Sequence, residues 1–303
     1  MNYEVSKMDI VYALCSENEP VLRVPDHSII VFHTCDCFED QIQSDRMDFG
    51  ELDWERINPA TGPVYIENAE PGDLLVVHIL TMELADQGVM TIGPKLGVFG
   101  DELKENAIRM VPIIDHQAWI SQDIGIPLHP MIGVIGTAPK GASISCGTPG
   151  DHGGNMDCKH ITTGAYLLLP VNVPGALLAL GDLHAVMGDG EVGVSGVEIA
   201  GSVTVQVHVL KGKAWPAPML INKNTVMTIA SAQDLDEASE LAVKHMARLL
   251  EQECQMTTPE AVFLLSAAAN LHVCQIVDPK KTARMELPRS VIEQCGFSFE
   301  VSS

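Results

Sequence analysis

The segment Ser202-Val-Thr-Val-Gln-Val-His-Val209 alternates without a break, with valine at every second position and Thr204, Gln206 and His208 between them. Successive side chains of an extended chain point to opposite faces, so this run makes a strand with one buried face. Wound as a helix, it would scatter its valines around the whole circumference. The same reading extends over most of the chain to about Ile229. Leu74-Leu-Val-Val-His-Ile-Leu80 follows the turn signal Glu70-Pro-Gly-Asp73. Tyr166-Leu-Leu-Leu169 and Ala176-Leu-Leu-Ala-Leu180 are continuous apolar runs of the kind buried on both faces. Short strands joined by glycine and proline turns, with no helix between them, predict a mainly β fold with a β-sandwich-type core.

The pattern changes after residue 230. Asp234 to Glu253 carries Leu235, Ala238, Leu241, Ala242, His245, Met246, Leu249 and Leu250 at helical spacing, with acidic residues in the first turn. Thr258-Pro259 opens a second helix, as a cap followed by proline at the first helical position, and a short helix is expected after Pro288. The expected organisation is a β-rich catalytic core over 1–230 and an α-rich C-terminal segment over 231–303, packed on the core as one structural unit.

Charge narrows the choice of partner. The 303 residues hold 18 Lys plus Arg against 40 Asp plus Glu, a formal charge of −22. Nucleic acids and anionic membranes are bound by basic patches, so this balance argues against both. A neutral small molecule or a metal cation suits the field better than an anion. The longest apolar region, Ala165 to Leu180, is interrupted by Pro170, Asn172, Pro174 and Gly175 and does not read as a membrane span. Met1 to Asp9 is polar, without a basic stretch leading into an apolar one, so a cytoplasmic location with eight reduced cysteines is expected. Cys35-Asp-Cys37 lacks the spacing of a zinc-finger pair.

Three segments set acids or histidine beside glycine: Gly153-Gly-Asn-Met-Asp157, Gly181-Asp-Leu-His184 and Gly188-Asp-Gly-Glu191. Glycine admits tight turns and close ligand approach, while carboxylate and imidazole hold cations or move protons. His184 falls where a buried strand gives way to a glycine-rich loop, with Asp182 before it and Asp189 and Glu191 after it. Asp157 lies in a glycine turn whose backbone N–H groups could bind an oxyanion, and Lys159 would share its face in an extended segment. Asp36 follows the apolar stretch Ile29 to Phe32, His129 precedes Pro130, and Glu198 leads into the alternating strand. Together Asp36, His129, Asp157, His184 and Glu198 would suit a zinc-type catalytic site with mixed oxygen and nitrogen ligands and an open position.

At these segments the chain resembles the acetamidase/formamidase family. The matching text runs Leu128-His-Pro-Met-Ile-Gly-Val-Ile-Gly-Thr-Ala-Pro139, Gly153-Gly-Asn-Met-Asp157, Leu169-Pro-Val-Asn-Val-Pro-Gly-Ala-Leu177 and Gly181-Asp-Leu-His-Ala-Val-Met-Gly-Asp-Gly-Glu191. It continues through Gly196-Val-Glu-Ile-Ala-Gly201 and Leu264 to Pro279, covering nearly the whole chain. The resemblance implies hydrolysis of short amides such as formamide or acetamide, and a divalent metal, zinc, held by acidic and histidine residues. Asp36, His129, Asp157, His184 and Glu198 occupy the positions carried over as ligands, with Asp36, Asp157 or Glu198 as proton acceptor and Lys159 as a candidate for oxyanion stabilisation. Met187 and His160 depart from the family pattern and bear on the substrate.

Two rivals stand beside this reading. One is a Ser- or Cys-nucleophile amidase drawing on Ser143, Ser145, Cys146 or Cys158, against which no Gly-x-Ser-x-Gly elbow occurs. The other is a noncatalytic β-sandwich binding protein with calcium (Ca2+) at Asp189 and Glu191, since acidic glycine loops suit that ion. Calcium beside a catalytic zinc (Zn2+) is also compatible with the pattern. A symmetric homodimer is the expected assembly.

Overall fold

Val203, Val205, Val207 and Val209 of the alternating strand, Gly201–Leu210, all point into the interior, and each is nearly or fully buried. The computed structural model describes residues 2–299. Gly201–Leu210 pairs antiparallel with Ile29–Thr34 on one side and with Leu74–Leu84 on the other. These strands are the middle of a nine-stranded sheet that continues through Tyr166–Pro170, Met219–Ile221, Thr225–Ala232, Lys281–Pro288 and Asn270–Gln275. An eleven-stranded sheet faces it, containing Gly153–Asn155, Met131–Gly136, Leu178–His184, Glu198–Ile199, Gln87–Ile92 and Ala107–Ile114 in spatial order.

The main core fills the space between the sheets. Ile30, Phe32, Val77, Ile79 and the inward valines of one sheet meet Ile132, Leu178, Leu180 and Leu183 of the other. The continuous apolar runs are buried on both faces. Leu167 and Leu169 join the main core, while Leu168 joins a second cluster built against the helices. In the facing sheet, Leu178 and Leu180 point to the main core and Ala179 to a small outer cluster with Leu14, Val134 and Cys146. Fully burying such an aliphatic side chain stabilises the fold by about 1.5–3 kcal/mol, so two-faced strands are strong anchors.

Helix α1, Leu235–Cys254, lays Ala242, Met246, Leu249 and Leu250 on the outer face of the nine-stranded sheet, against Val226, Met285 and Leu287. Its start is fixed by the Asp234 carboxylate, which accepts from the Glu237 N–H at 2.8 Å, a cap typically worth about 1 kcal/mol. Helix α2, Thr258–Ala268, begins one residue earlier than the Thr258-Pro259 reading implies. Thr257 is its cap, because the Glu260 carboxylate reaches back to the Thr257 N–H at 2.8 Å. The α-rich segment also supplies two strands, Asn270–Gln275 and Lys281–Pro288, which complete one end of the nine-stranded sheet. Among the described residues all eight cysteines are free thiols, and no helix is long and apolar enough to cross a membrane.

Candidate functional site

Four neighbouring strands of the eleven-stranded sheet deliver acids and a histidine to one place. Leu178–His184 carries Asp182 and His184, and its ladder with Glu198–Ile199 sets His184 directly opposite Glu198. On the other side Met131–Gly136 lies between this strand and Gly153–Asn155, from which the chain turns into Asp157. His184 Nε2 lies 3.1 Å from Glu198 Oε2, 3.4 Å from Asp182 Oδ1 and 3.7 Å from Asp157 Oδ1. All four side chains are buried. Glu191 joins from the following loop: ligating atoms of Asp157, His184 and Glu191 lie within 4.8 Å of one another, as do those of Cys37, Asp182 and Glu198. Asp278 completes the cluster, its Oδ2 accepting from Asn155 Nδ2 at 2.9 Å.

The backbone is bent to bring them in. Asp157, Asp182 and Glu191 have φ of 45°, 55° and 47°, the left-handed region that costs a non-glycine residue about 1–3 kcal/mol. Strain at three members of one cluster marks a place where position outweighs local stability. Glycines make the room. A β-carbon at Gly133 would come 2.6 Å from Asp157 Oδ1 and 2.8 Å from Asp182 Oδ2, and one at Gly196 would come 2.6 Å from His184 Nδ1.

The electrostatics are those of a centre short of positive charge. Asp157, Glu191 and Asp278 are pushed well above the usual carboxylate range, first by burial and then by one another's charge. Burial likewise lifts Glu198 to about 8, although His184 pulls the other way. Burial alone would lower His184, but Glu198 and Asp182 outweigh it and raise the imidazole well above 6.5. Among the described residues, both oxygens of Asp157, Asp182 Oδ1, Glu198 Oε2 and His184 Nδ1 are buried without a hydrogen-bond partner. Orphaned buried polar atoms cost about 1–3 kcal/mol each, and a divalent cation among them would satisfy several at once. The donor set of carboxylates and imidazole therefore fits such an ion.

The cluster opens on a cavity of about 280 Å³. Asp182, Glu191, Glu198 and Asp278 line its polar part, and Phe38, Trp54, Ile57 and Leu96 are among its apolar lining. Among the described residues, no lysine, arginine or histidine lines it.

The remaining residues singled out in the sequence sit elsewhere. His129 is exposed and lies apart from the close groups of metal-binding side chains among the described residues; its N–H donates to Ala185 O on the strand continuation, which fixes backbone and not imidazole. Asp36 is buried beside the centre, but its Oδ1 accepts from the N–H groups of Phe38 and Asp40 at 2.9 and 2.8 Å, closing a turn. Burial raises its pKa to about 6. Lys159 does not share a face with Asp157, whose left-handed φ breaks the extended conformation. It pairs with Asp189 at 2.9 Å. Asp189 also receives both Nη atoms of buried Arg284, at 2.8 and 2.9 Å. The pair Asp189 and Glu191 is thus divided, Asp189 to two cationic side chains and Glu191 to the buried centre. In the 150–155 turn the N–H groups of Gly150 and Gly153 bond to each other's carbonyls, which removes them as oxyanion donors. Cys37, Asn155 and Asp278 were not singled out in the sequence.

Fold and site together define a β-sandwich protein with a buried carboxylate–histidine centre opening on a small cavity without cationic lining. The chain belongs to the Acetamidase/Formamidase family, whose pattern matches residues 16–146 and 142–294. It is similar to the crystal structure of an acetamidase from Bacillus halodurans, with 46% identity and a TM-score of 0.96 over 97% of this chain and 100% of that one. It is 26% identical to a formamidase of Methylophilus methylotrophus over 221 residues, which are 54% of this chain and 54% of that protein. It is also 27% identical to an acetamidase of Mycolicibacterium smegmatis over 235 residues, which are 54% of this chain and 56% of that protein. The chain spans about half the length of the curated relatives it matches.

Proposed function

We propose that this protein hydrolyses short neutral amides, formamide or acetamide, to carboxylate and ammonia with the help of a divalent metal, zinc. The observation that carries the reading is the convergence of Asp157, Asp182, Glu191, Glu198 and Asp278 on His184 with orphaned ligand atoms, beside a cavity sized for a small molecule. Asp157, His184 and Glu191 would hold the ion, with Asp182 and Glu198 adjoining. When bound, a divalent cation polarises a carbonyl and lowers the pKa of water toward neutrality.

The chain's own groups supply the rest. Glu198 lines the cavity and faces His184 across the ladder, which suits it to take a proton from the attacking water and return it to the departing nitrogen. Asp278, oriented by Asn155, is placed to accept a hydrogen bond from the amide N–H2. Phe38, Trp54, Ile57 and Leu96 shield the reacting atoms from bulk water and limit the acyl group to a short one. Lys159 and Arg284, through Asp189, position the loop that carries Glu191.

Cys158, whose thiol is lowered by its hydrogen bond with Cys274, is fully buried and outside the cavity lining, and burial disfavours the other candidate thiols as nucleophiles. The Cys146 thiol is pushed up to about 12 by burial, and Cys37, which does line the cavity, is raised well above its ordinary value. A thiolate is the reactive form, so neither is poised to attack. The oxygen-rich donor set gives one ground for a noncatalytic calcium-binding reading. Metal analysis paired with ammonia release from a panel of small amides separates the two, since a calcium-loaded protein without turnover would displace the hydrolase reading.

A further inference from the structure

Away from the carboxylate centre, the described residues hold a mixed cluster that amide chemistry does not use. Asp26 and His27 form the turn before strand Ile29–Thr34, and His208 stands on the outward side of Gly201–Leu210, between the inward valines. One ligating atom from each of Asp26, His27 and His208 lies within 4.8 Å of the other two.

The carboxylate is held in place. Asp26 Oδ1 accepts from the backbone N–H of His27 at 2.8 Å and of Val209 at 2.9 Å. Its Oδ2 is left 3.7 Å from His27 Nε2. His208 Nδ1 lies 3.3 Å from Asp26 Oδ1 at an angle that makes no hydrogen bond, and is a buried atom without a hydrogen-bond partner among the described residues. The two imidazole rings approach to 4.3 Å between centroids. His27 adopts φ of 65° in this turn, a left-handed conformation that histidine takes up more readily than most residues. Its side chain is 44% exposed, so an ion from solvent can reach it.

We propose that Asp26, His27 and His208 form a second divalent-metal site, remote from the amide centre and selective for a borderline transition ion such as zinc. Two imidazoles and one carboxylate suit that class better than calcium or magnesium, which take all-oxygen shells. The ion would clip the turn at Asp26 to a strand 183 residues further on, at Val209. Because that arrangement exists only in the folded chain, binding stabilises the fold by mass action.

The test uses chelator-stripped protein dialysed against zinc, with metal per chain counted by atomic emission and thermal midpoints recorded with and without the ion. The His27→Ala/His208→Gln variant should bind one equivalent fewer than the wild type and show a smaller zinc-induced rise in midpoint, with ammonia release unchanged. His184→Ala should keep that equivalent, so that failure of the amide-centre reading leaves this result distinct. Should the double variant not fold, His208→Gln alone carries the same expectation. Equal zinc stoichiometry and an equal rise in midpoint for variant and wild type would overturn the proposal.

Discussion

Replacing Gly133 with alanine puts a methyl group into the middle of the carboxylate centre. Gly133 lies on Met131–Gly136, across the ladder from Asp182. The new β-carbon would stand 2.6 Å from Asp157 Oδ1, 2.8 Å from Asp182 Oδ2 and 3.0 Å from the Asp182 carbonyl oxygen. Ordinary contact begins near about 3.4 Å, so both carboxylates must retreat by roughly 0.6–0.8 Å. Neither can swing into solvent, since both are buried, and the carbonyl belongs to a fixed strand. Overpacking of this kind costs about 1–3 kcal/mol. A displacement approaching 1 Å at reacting groups lowers turnover about 10–100-fold. Ammonia release, metal per chain and the thermal midpoint should all fall together in Gly133→Ala. Gly188→Ala is the matched control, because a β-carbon there meets nothing within 4 Å. A Gly133→Ala protein with wild-type metal content and wild-type turnover would refute the placement of the centre.

Further outcomes follow from the same geometry. His184→Ala should lose transition metal from the centre and activity together while keeping its far-ultraviolet dichroism; retained turnover would remove His184 from the site. Asp36→Asn should keep the turn, because an amide oxygen can still accept from Phe38 and Asp40, and should retain most activity, whereas a large loss of kcat would return Asp36 to the chemistry. Metal-free protein should lose stability as pH rises. Glu198 binds its proton more tightly folded than unfolded, with a folded pKa of about 8 against an ordinary 4.5, and the raised His184 acts in the same direction. The folded state therefore holds extra protons between those limits; below about pH 6.5 the lowered His78, His152, His160 and His245 act the other way, so melting points of stripped protein should fall from about pH 6.5 to pH 8, and a rise there would contradict the burial of these acids. Formamide or acetamide should be turned over well above succinamate, since no cationic residue among those described lines the cavity; faster hydrolysis of succinamate at high salt would point to a cationic subsite.

The β-sandwich was legible because its strands obey simple periodicities. The valine alternation at 203–209 and the two-faced runs at 166–169 and 178–180 need only the period of an extended chain and the presence of a core on each side. Strand Lys281–Pro288 was not legible, since Arg284 and Glu286 give it the look of a surface. Arg284 is nevertheless buried, because Asp189, Glu286 and the Val273 carbonyl satisfy its guanidinium. The acidic glycine segments announced Asp157 and His184. What local spacing could not convey is the register that sets Glu198 opposite His184, or the crossing that brings Cys37 and Asp278 from distant loops. Nor could it say that His129, in a motif-rich stretch, faces solvent.

Short-amide hydrolysis by this chain is proposed to depend on a divalent ion at the Asp157–His184–Glu191 centre. Its most direct test is ammonia release from formamide and acetamide by protein whose metal content is measured before chelation, after it, and after zinc is restored. Stoichiometric metal and turnover should disappear together on chelation and return together with zinc. Undiminished ammonia release from metal-free protein, or no release from any short amide by metal-loaded protein, would contradict it.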